Sequence, residues 1–236
     1  MSTRFSTLLL LLCIVILLTN CTPNNKNINE ALVNIKALYE TNEAEITQGV
    51  SVNNNGDKES FITVNIEKSR LINDSTYDIT NALSGAALVL YDHLDEQEKS
   101  IYNYIEVDIK RDAPHEDFFT IRFPIEEMKL ISESLSIVDS FYSLYTKKKY
   151  DEALLLFNVK INTELVKSEL YKMDSLYGNI QSYNIKGFCK KEIEINNQKQ
   201  LVLNIKTVCK RNNANTQLNF DVQYTESEQK ISGIIF

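Results

Sequence analysis

No apolar run in this chain is long enough to cross a bilayer. The longest, Leu8 to Leu18, holds eleven residues, whereas a spanning helix needs about 20. Basic runs are equally short. None exceeds Lys147-Lys148-Lys149, and the formal net charge is −7, which disfavours nucleic acid and anionic head groups as partners. Histidine occurs twice, as His93 in YDHLDEQE and His115 in DAPHEDF. Asp92, Asp95 and Glu96 flank His93 but point around the whole circumference of a helix end, which reads as a solvated terminus. His115, beside Glu116 and Asp117, reads as a surface turn, so no metal is expected. No G-x-S-x-G, H-E-x-x-H, phosphate loop, dinucleotide fingerprint, EF-hand loop or C-x-x-C occurs, and the usual hydrolase, metalloprotease, nucleotide and redox chemistries lose their signatures with them. No cofactor is implied.

What the short apolar run does fit is the core of an export signal, about 7 to 15 residues long and preceded by a positive charge, here Arg4. The composition then changes abruptly at Leu18-Thr19-Asn20-Cys21, followed by TPNNKNIN. This resembles the bacterial lipoprotein lipobox, in which an apolar residue and two small ones precede a cysteine that is lipidated and becomes the first residue after cleavage. Leu18, Thr19 and Cys21 match, while Asn20 stands where Gly, Ala or Ser is usual. The resemblance implies a signal over 1–20, lipidation at Cys21, a tether over 21–27, and a bacterial cell-envelope location, lipid-anchored in the outer membrane. Two or more acyl chains suffice for stable anchoring, at about 0.8 kcal/mol per buried methylene. The membrane is thus a partner through Cys21. The alternative is a simple secretory peptide with an incidental cysteine. Loss of Arg4 with the signal takes the formal charge from −7 to −8.

Of four cysteines, Cys13 leaves with the signal and Cys21 takes lipid. Cys189 and Cys209 remain, in an exported chain where disulfides persist. Both fall in one predicted hairpin. Cys189 shares its parity with Ile185, Ile193 and Ile195, and Cys209 with Leu201, Leu203 and Ile205. Strict alternation puts both thiols on the apolar face, and a turn at 196–199 is expected to set them opposite or one diagonal step apart. A disulfide is expected, worth roughly 3 kcal/mol in the chain-entropy model. The other reading is two buried thiols.

Periodicity organises the rest as α+β, in two small domains of helices packed on antiparallel sheets. Over 28–125 it predicts a helix to about Tyr39, with Ile28, Leu32, Ile35 and Leu38 or Tyr39 at helical spacing. A hairpin follows around Asn55-Gly56, then a helix capped by Asp78 or Thr76. A second hairpin has Ile105, Val107 and Ile109 facing Phe119, Ile121 and Phe123 across a turn at 112–116. Beyond Pro124, over 126–236, one face of a long helix carries Ile131, Leu135, Val138, Tyr142 and Tyr145. KKKYDEALLLFN, a helix over 163–177, and strands at 181–195, 200–210, 216–225 and 230–236 complete the chain.

That second half, with its long helix, KKKYDEALLLF, a helix ending SLYGNIQSYNIKGF, three long strands and a closing KISGIIF, resembles small bacterial envelope domains of the nuclear transport factor 2-like (cystatin-like) superfamily. Gln229 and Lys230 stand where a Trp often precedes the last strand. The resemblance implies a cone-shaped domain in which Tyr150 packs between helices, Gly178 caps a helix and Gly233 lies in the final strand. It brings no catalytic residue. Carboxylate pairs Glu126-Glu127, Glu192 with Glu194 and Glu226 with Glu228 read as solvent faces, and Tyr102, Tyr104, Tyr142, Tyr145, Tyr171, Tyr177, Tyr183 and Tyr224 as packing residues ahead of a ligand groove. The expected function is a lipid-anchored binding or interaction protein. The alternatives are an envelope enzyme using carboxylates and tyrosines inside the cone, and a structural assembly lipoprotein.

Overall fold

The computed structural model describes residues 26–52, 55–74, 77–112, 117–158, 161–195, 198–225 and 229–236. Cys21 and the signal, His115, Glu226 and Glu228 lie outside them. The fold is α+β, with helices packed on two four-stranded sheets.

Helix α1 (Lys26–Tyr39) buries Ala31, Ile35 and Tyr39, one stripe at helical spacing. It ends where Glu40 turns left-handed, at φ 49°, and Thr41 N–H returns to the Lys36 carbonyl at 3.1 Å. Strands β1 (Glu43–Val52) and β2 (Lys58–Glu67) pair antiparallel across the turn that Asn55-Gly56 announces, with Gly56 at φ 86°. Helix α2 (Ile79–His93) starts at the Asp78 cap, whose carboxylate accepts from Asn81 N–H at 3.3 Å. A short helix α3 (Glu96–Ile101) follows, started by a reciprocal capping box in which Asp95 and Glu98 accept from each other's backbone N–H at 2.8 Å. Strands β3 (Tyr104–Lys110) and β4 (Phe118–Pro124) complete the sheet in the order β1-β2-β3-β4.

The first sheet departs from the expected antiparallel pairing: β2 and β3 run parallel, Ile62 beside Ile105 and Ile66 beside Ile109. Two hairpins joined by helices return the chain in the same direction, and α2 with α3 supplies the long crossover that a parallel pair requires.

The second half consists of α4 (Ile125–Thr146), α5 (Tyr150–Leu154), α6 (Thr163–Tyr177) and a meander of β5 (Ile180–Ile195), β6 (Gln198–Arg211), β7 (Asn215–Gln223) and β8 (Ile231–Ile235). Helix α6 is capped by Asn162, which accepts from Leu165 N–H at 3.2 Å, and ends at Gly178, φ 79°. Lys148 explains part of the lysine run. It takes φ 60° just past α4, and the Lys148 and Lys149 N–H groups return to the Tyr145 and Leu144 carbonyls at 2.9 and 3.0 Å.

Helix α2 joins the halves. Its small residues Ala82, Ser84, Gly85, Ala86 and Ala87 are all buried, and Ser84 and Gly85 let its backbone approach the open edge of β5. A Cβ on Gly85 would meet the Lys186 carbonyl oxygen at 2.6 Å, and one on Gly187, φ 152°, would meet the Asn81 carbonyl oxygen at 2.2 Å. Phe188 N–H donates to Ser84 Oγ at 2.8 Å. An edge that would otherwise be free to recruit another strand is thereby covered. The buried side chains of both halves form one contiguous cluster.

Candidate functional site

The space between α4 and the second sheet is filled. Phe141, Tyr142, Ile205, Leu218 and Phe220 are fully buried, and Phe141 meets Phe220 and Phe157 edge to face at 5.1 and 6.0 Å. Tyr183 stacks on Tyr142 at 4.0 Å and donates to Asp139 at 2.6 Å. The Tyr142 hydroxyl lies 2.5 Å from Thr207 Oγ1 and accepts from the Cys209 thiol at 3.1 Å. Burial, with the neighbouring Cys209, pushes the Tyr142 phenol far above its usual range. It is a packed, neutral hydroxyl.

A polar hub closes one end of this half. Asp174, on α6, accepts on one carboxylate oxygen from Tyr145 at 2.9 Å and Arg211 at 2.8 Å, and on the other from Lys148 at 2.6 Å and Tyr150 at 2.5 Å. Arg211 has no exposed side-chain surface. It spends its remaining donors on the Gly178 carbonyl at 2.8 Å, Thr216 Oγ1 at 2.9 Å and the Tyr145 hydroxyl at 2.9 Å. Burial alone would raise the Asp174 pKa. Donation by Lys148, Tyr150, Tyr145 and Arg211 outweighs it, and the carboxyl is held below the usual carboxylate range. Both oxygens are saturated by donors, so the group is a fixed anion that ties α4, α5, α6 and β6 together. The sequence carried a signal for it, because Arg211 continues the buried parity of Leu203, Ile205, Thr207 and Cys209. A cation on a buried strand face requires a counter-ion.

The expected disulfide is overturned. Cys189 and Cys209 are free thiols. Cys209 pairs across the sheet with Tyr183, and Cys189 with Asn204, five residues before Cys209 on β6. At about 3.4 Å per residue that is roughly 17 Å, far beyond the Cα separation a bridge tolerates. Two causes combine. Pairing of Ile195 with Gln198 makes the hairpin turn two residues, and the register shift between Ile185 and Gly187 reverses the alternation. Beyond that bulge Phe188 takes the core side, opposite Ile205, and Cys189 passes to the other face. Burial raises both thiol pKa values. For Cys189 the nearby Asp78 adds to the rise while Lys191 opposes it, and for Cys209 a hydrogen bond with Tyr142 opposes it.

The remaining candidates are dispersed. One ring nitrogen of His93, Nδ1, lies 2.7 Å from the Val89 carbonyl and the other, Nε2, 3.0 Å from Asn34 Nδ2, a helix-end arrangement. Among the described residues no group of three or more His, Cys, Asp or Glu side chains could hold a metal. Glu127 accepts from Tyr224 at 3.0 Å and pairs with Lys190, while Glu126 is exposed. Glu192 and Glu194 are exposed, the former beside Lys199 at 3.1 Å.

The outer face of the first sheet forms an ordered surface. Gly49, Phe61 and Tyr104 lie side by side on β1, β2 and β3. The Phe61 ring covers Gly49 and stacks on Tyr104 at 5.4 Å, and Arg122 lies over the Tyr104 ring at 4.7 Å. Alongside, Arg122 pairs with Glu106 at 2.7 Å and Thr120 donates to Asp108 at 2.6 Å. The ring faces are thus taken up by one another, and the row is a cross-strand ladder. Comparison with family models, with curated proteins and with solved structures finds no match to this chain.

Proposed function

We propose that this is a lipid-anchored protein of the bacterial cell envelope, held in the outer membrane by Cys21, that acts through its surface as a binding or interaction module. The observation that carries the choice of a surface is the filled interior of the second half. Tyr142, Tyr145, Tyr150, Tyr171 and Tyr183 pack against aromatic neighbours, and Asp174, the carboxylate on which Tyr145 and Tyr150 converge, is pinned by four donors. A general acid or base needs a proton it can exchange near working pH, and an anion held by Arg211 and Lys148 does not offer one. What supports the likeness of the second half to nuclear transport factor 2-like domains is its element order, with three helices before a four-stranded meander and α4 across the sheet. The anchor rests on the end of the apolar run at Cys21 and the polar residues that follow it.

The test is metabolic labelling of the full chain in a bacterial host. Palmitate is expected to label the protein, which partitions into detergent, and Cys21→Ser is expected to abolish both. An unlabelled, soluble wild-type protein overturns the anchor.

A further inference from the structure

We propose that the corner formed by Val50, Val52 and Ile101 rests on the bilayer surface, so that the protein stands on the membrane by the tip of its first hairpin and the end of α3. The inference rests on the Cys21 anchor proposed above. Residues 44, 46, 50 and 52 of β1 alternate onto the face that α1 and α2 cover, yet their exposure rises along the strand. Ala44 is 8% exposed, Ile46 is half-buried, and Val50 and Val52 are 64% and 62% exposed. The cause is length. Ten residues of β1 extend roughly 33 Å, while the fourteen of α1, which runs in the opposite direction, reach about 21 Å. The strand outruns the helix.

Contacts place the start of α1 at this same end. Asn27 donates to Glu98 of α3 at 3.4 Å. Three residues on, the Ile101 carbonyl accepts from Ser60 Oγ, and Ser60 is the cross-strand partner of Val50. Ile101 itself is 54% exposed. Three aliphatic side chains therefore stand open at the end of the molecule where the chain arrives from Cys21. Cys21 and Lys26 are only five positions apart, a reach of at most about 17 Å. The four residues between are Thr22, Pro23, Asn24 and Asn25, with no large apolar group to cover the corner. Acyl chains fixed in the bilayer hold that end close to it, and aliphatic side chains gain by entering the interfacial region.

The chain contains no tryptophan, so single Trp probes report without background. Val52→Trp and Ile101→Trp, in the full acylated protein on vesicles of phosphatidylethanolamine and phosphatidylglycerol, are compared with Phe118→Trp. Phe118 is 64% exposed and pairs with Lys110, roughly 20 Å along β3 from Tyr104. All three sites are exposed, and unchanged far-UV circular dichroism verifies the fold. Brominated lipid is expected to cut emission at 52 and 101 by roughly half, as for side chains 5 to 10 Å into the interface, and to leave 118 unchanged. Acylated, floating protein whose emission at 52 and 101 is unquenched overturns the proposal, and a blue shift without quenching would then assign the corner to the tether or to a second copy. Equal quenching at 118 overturns it as well. Protein that neither carries lipid nor floats with the vesicles overturns the anchor and the corner together.

Discussion

At the scale of single residues, the Asp174 and Arg211 pair decides most. Asp174→Asn leaves the buried guanidinium without its counter-ion, and removing one partner of a buried pair costs about 3–5 kcal/mol. Urea unfolding should show a loss of that order. The pH dependence follows from the depressed carboxyl. Its folded pKa lies below its unfolded value, near 4, so its contribution is complete above about pH 4 and is lost as pH falls through the folded pKa. Wild-type stability should fall more steeply in acid than that of Asp174→Asn, and parallel acid limbs would contradict the assignment. The cysteines give a second prediction. Cys189 is half-exposed and Cys209 buried, so maleimide should label one thiol slowly in the native protein and the second only in denaturant, both without reductant. A peptide linking residues 189 and 209 in a non-reducing digest would contradict the two free thiols.

At the scale of elements, the contact between α2 and β5 depends on two glycines and a serine. Ser84→Ala removes the acceptor of Phe188 N–H and leaves a buried donor unsatisfied, at about 1–3 kcal/mol. Gly187→Ala should cost at least as much, because a Cβ there would enter the Asn81 backbone at a φ that side chains avoid. Denaturant midpoints measure both, and a neutral Gly187→Ala would remove the close approach from the account. These elements also separate what the sequence disclosed from what it hid. Helices α1, α2, α4 and α6 and most strands follow from apolar spacing, since each buries one face. Helix α3 was missed although Asp95 and Glu98 spell a capping box, because six residues carry no period. The bulge at Gly187 was hidden for a different reason. It serves α2, a partner a hundred residues away, and alternation read along β5 alone carries both thiols to the wrong relation. The hub was half legible: Arg211 has an anomalous parity, but nothing near it in sequence names Asp174 as its partner.

For the whole molecule, the question is whether two sheets mean two folding units. Helix α2 lies in the first half of the chain, yet its small-residue face covers the edge of β5 in the second, and the buried clusters of the halves are continuous. Separating the halves would expose Asn81, Ser84 and Gly85 of α2 on one side and leave Phe188 N–H and the free edge of β5 on the other. Exposed strand edges invite association. Unfolding in urea should therefore be a single transition, with far-UV circular dichroism and tyrosine fluorescence superimposing, as a shared core requires. The probes sample different regions, because most of the packed tyrosine pairs lie around α4 whereas the circular dichroism signal averages every helix. A segment spanning 126–236 alone should associate through β5, with a sedimentation coefficient that rises with concentration. Two resolved unfolding steps, together with a monomeric and folded 126–236 segment, would show that α2 merely docks on a sheet already stable without it.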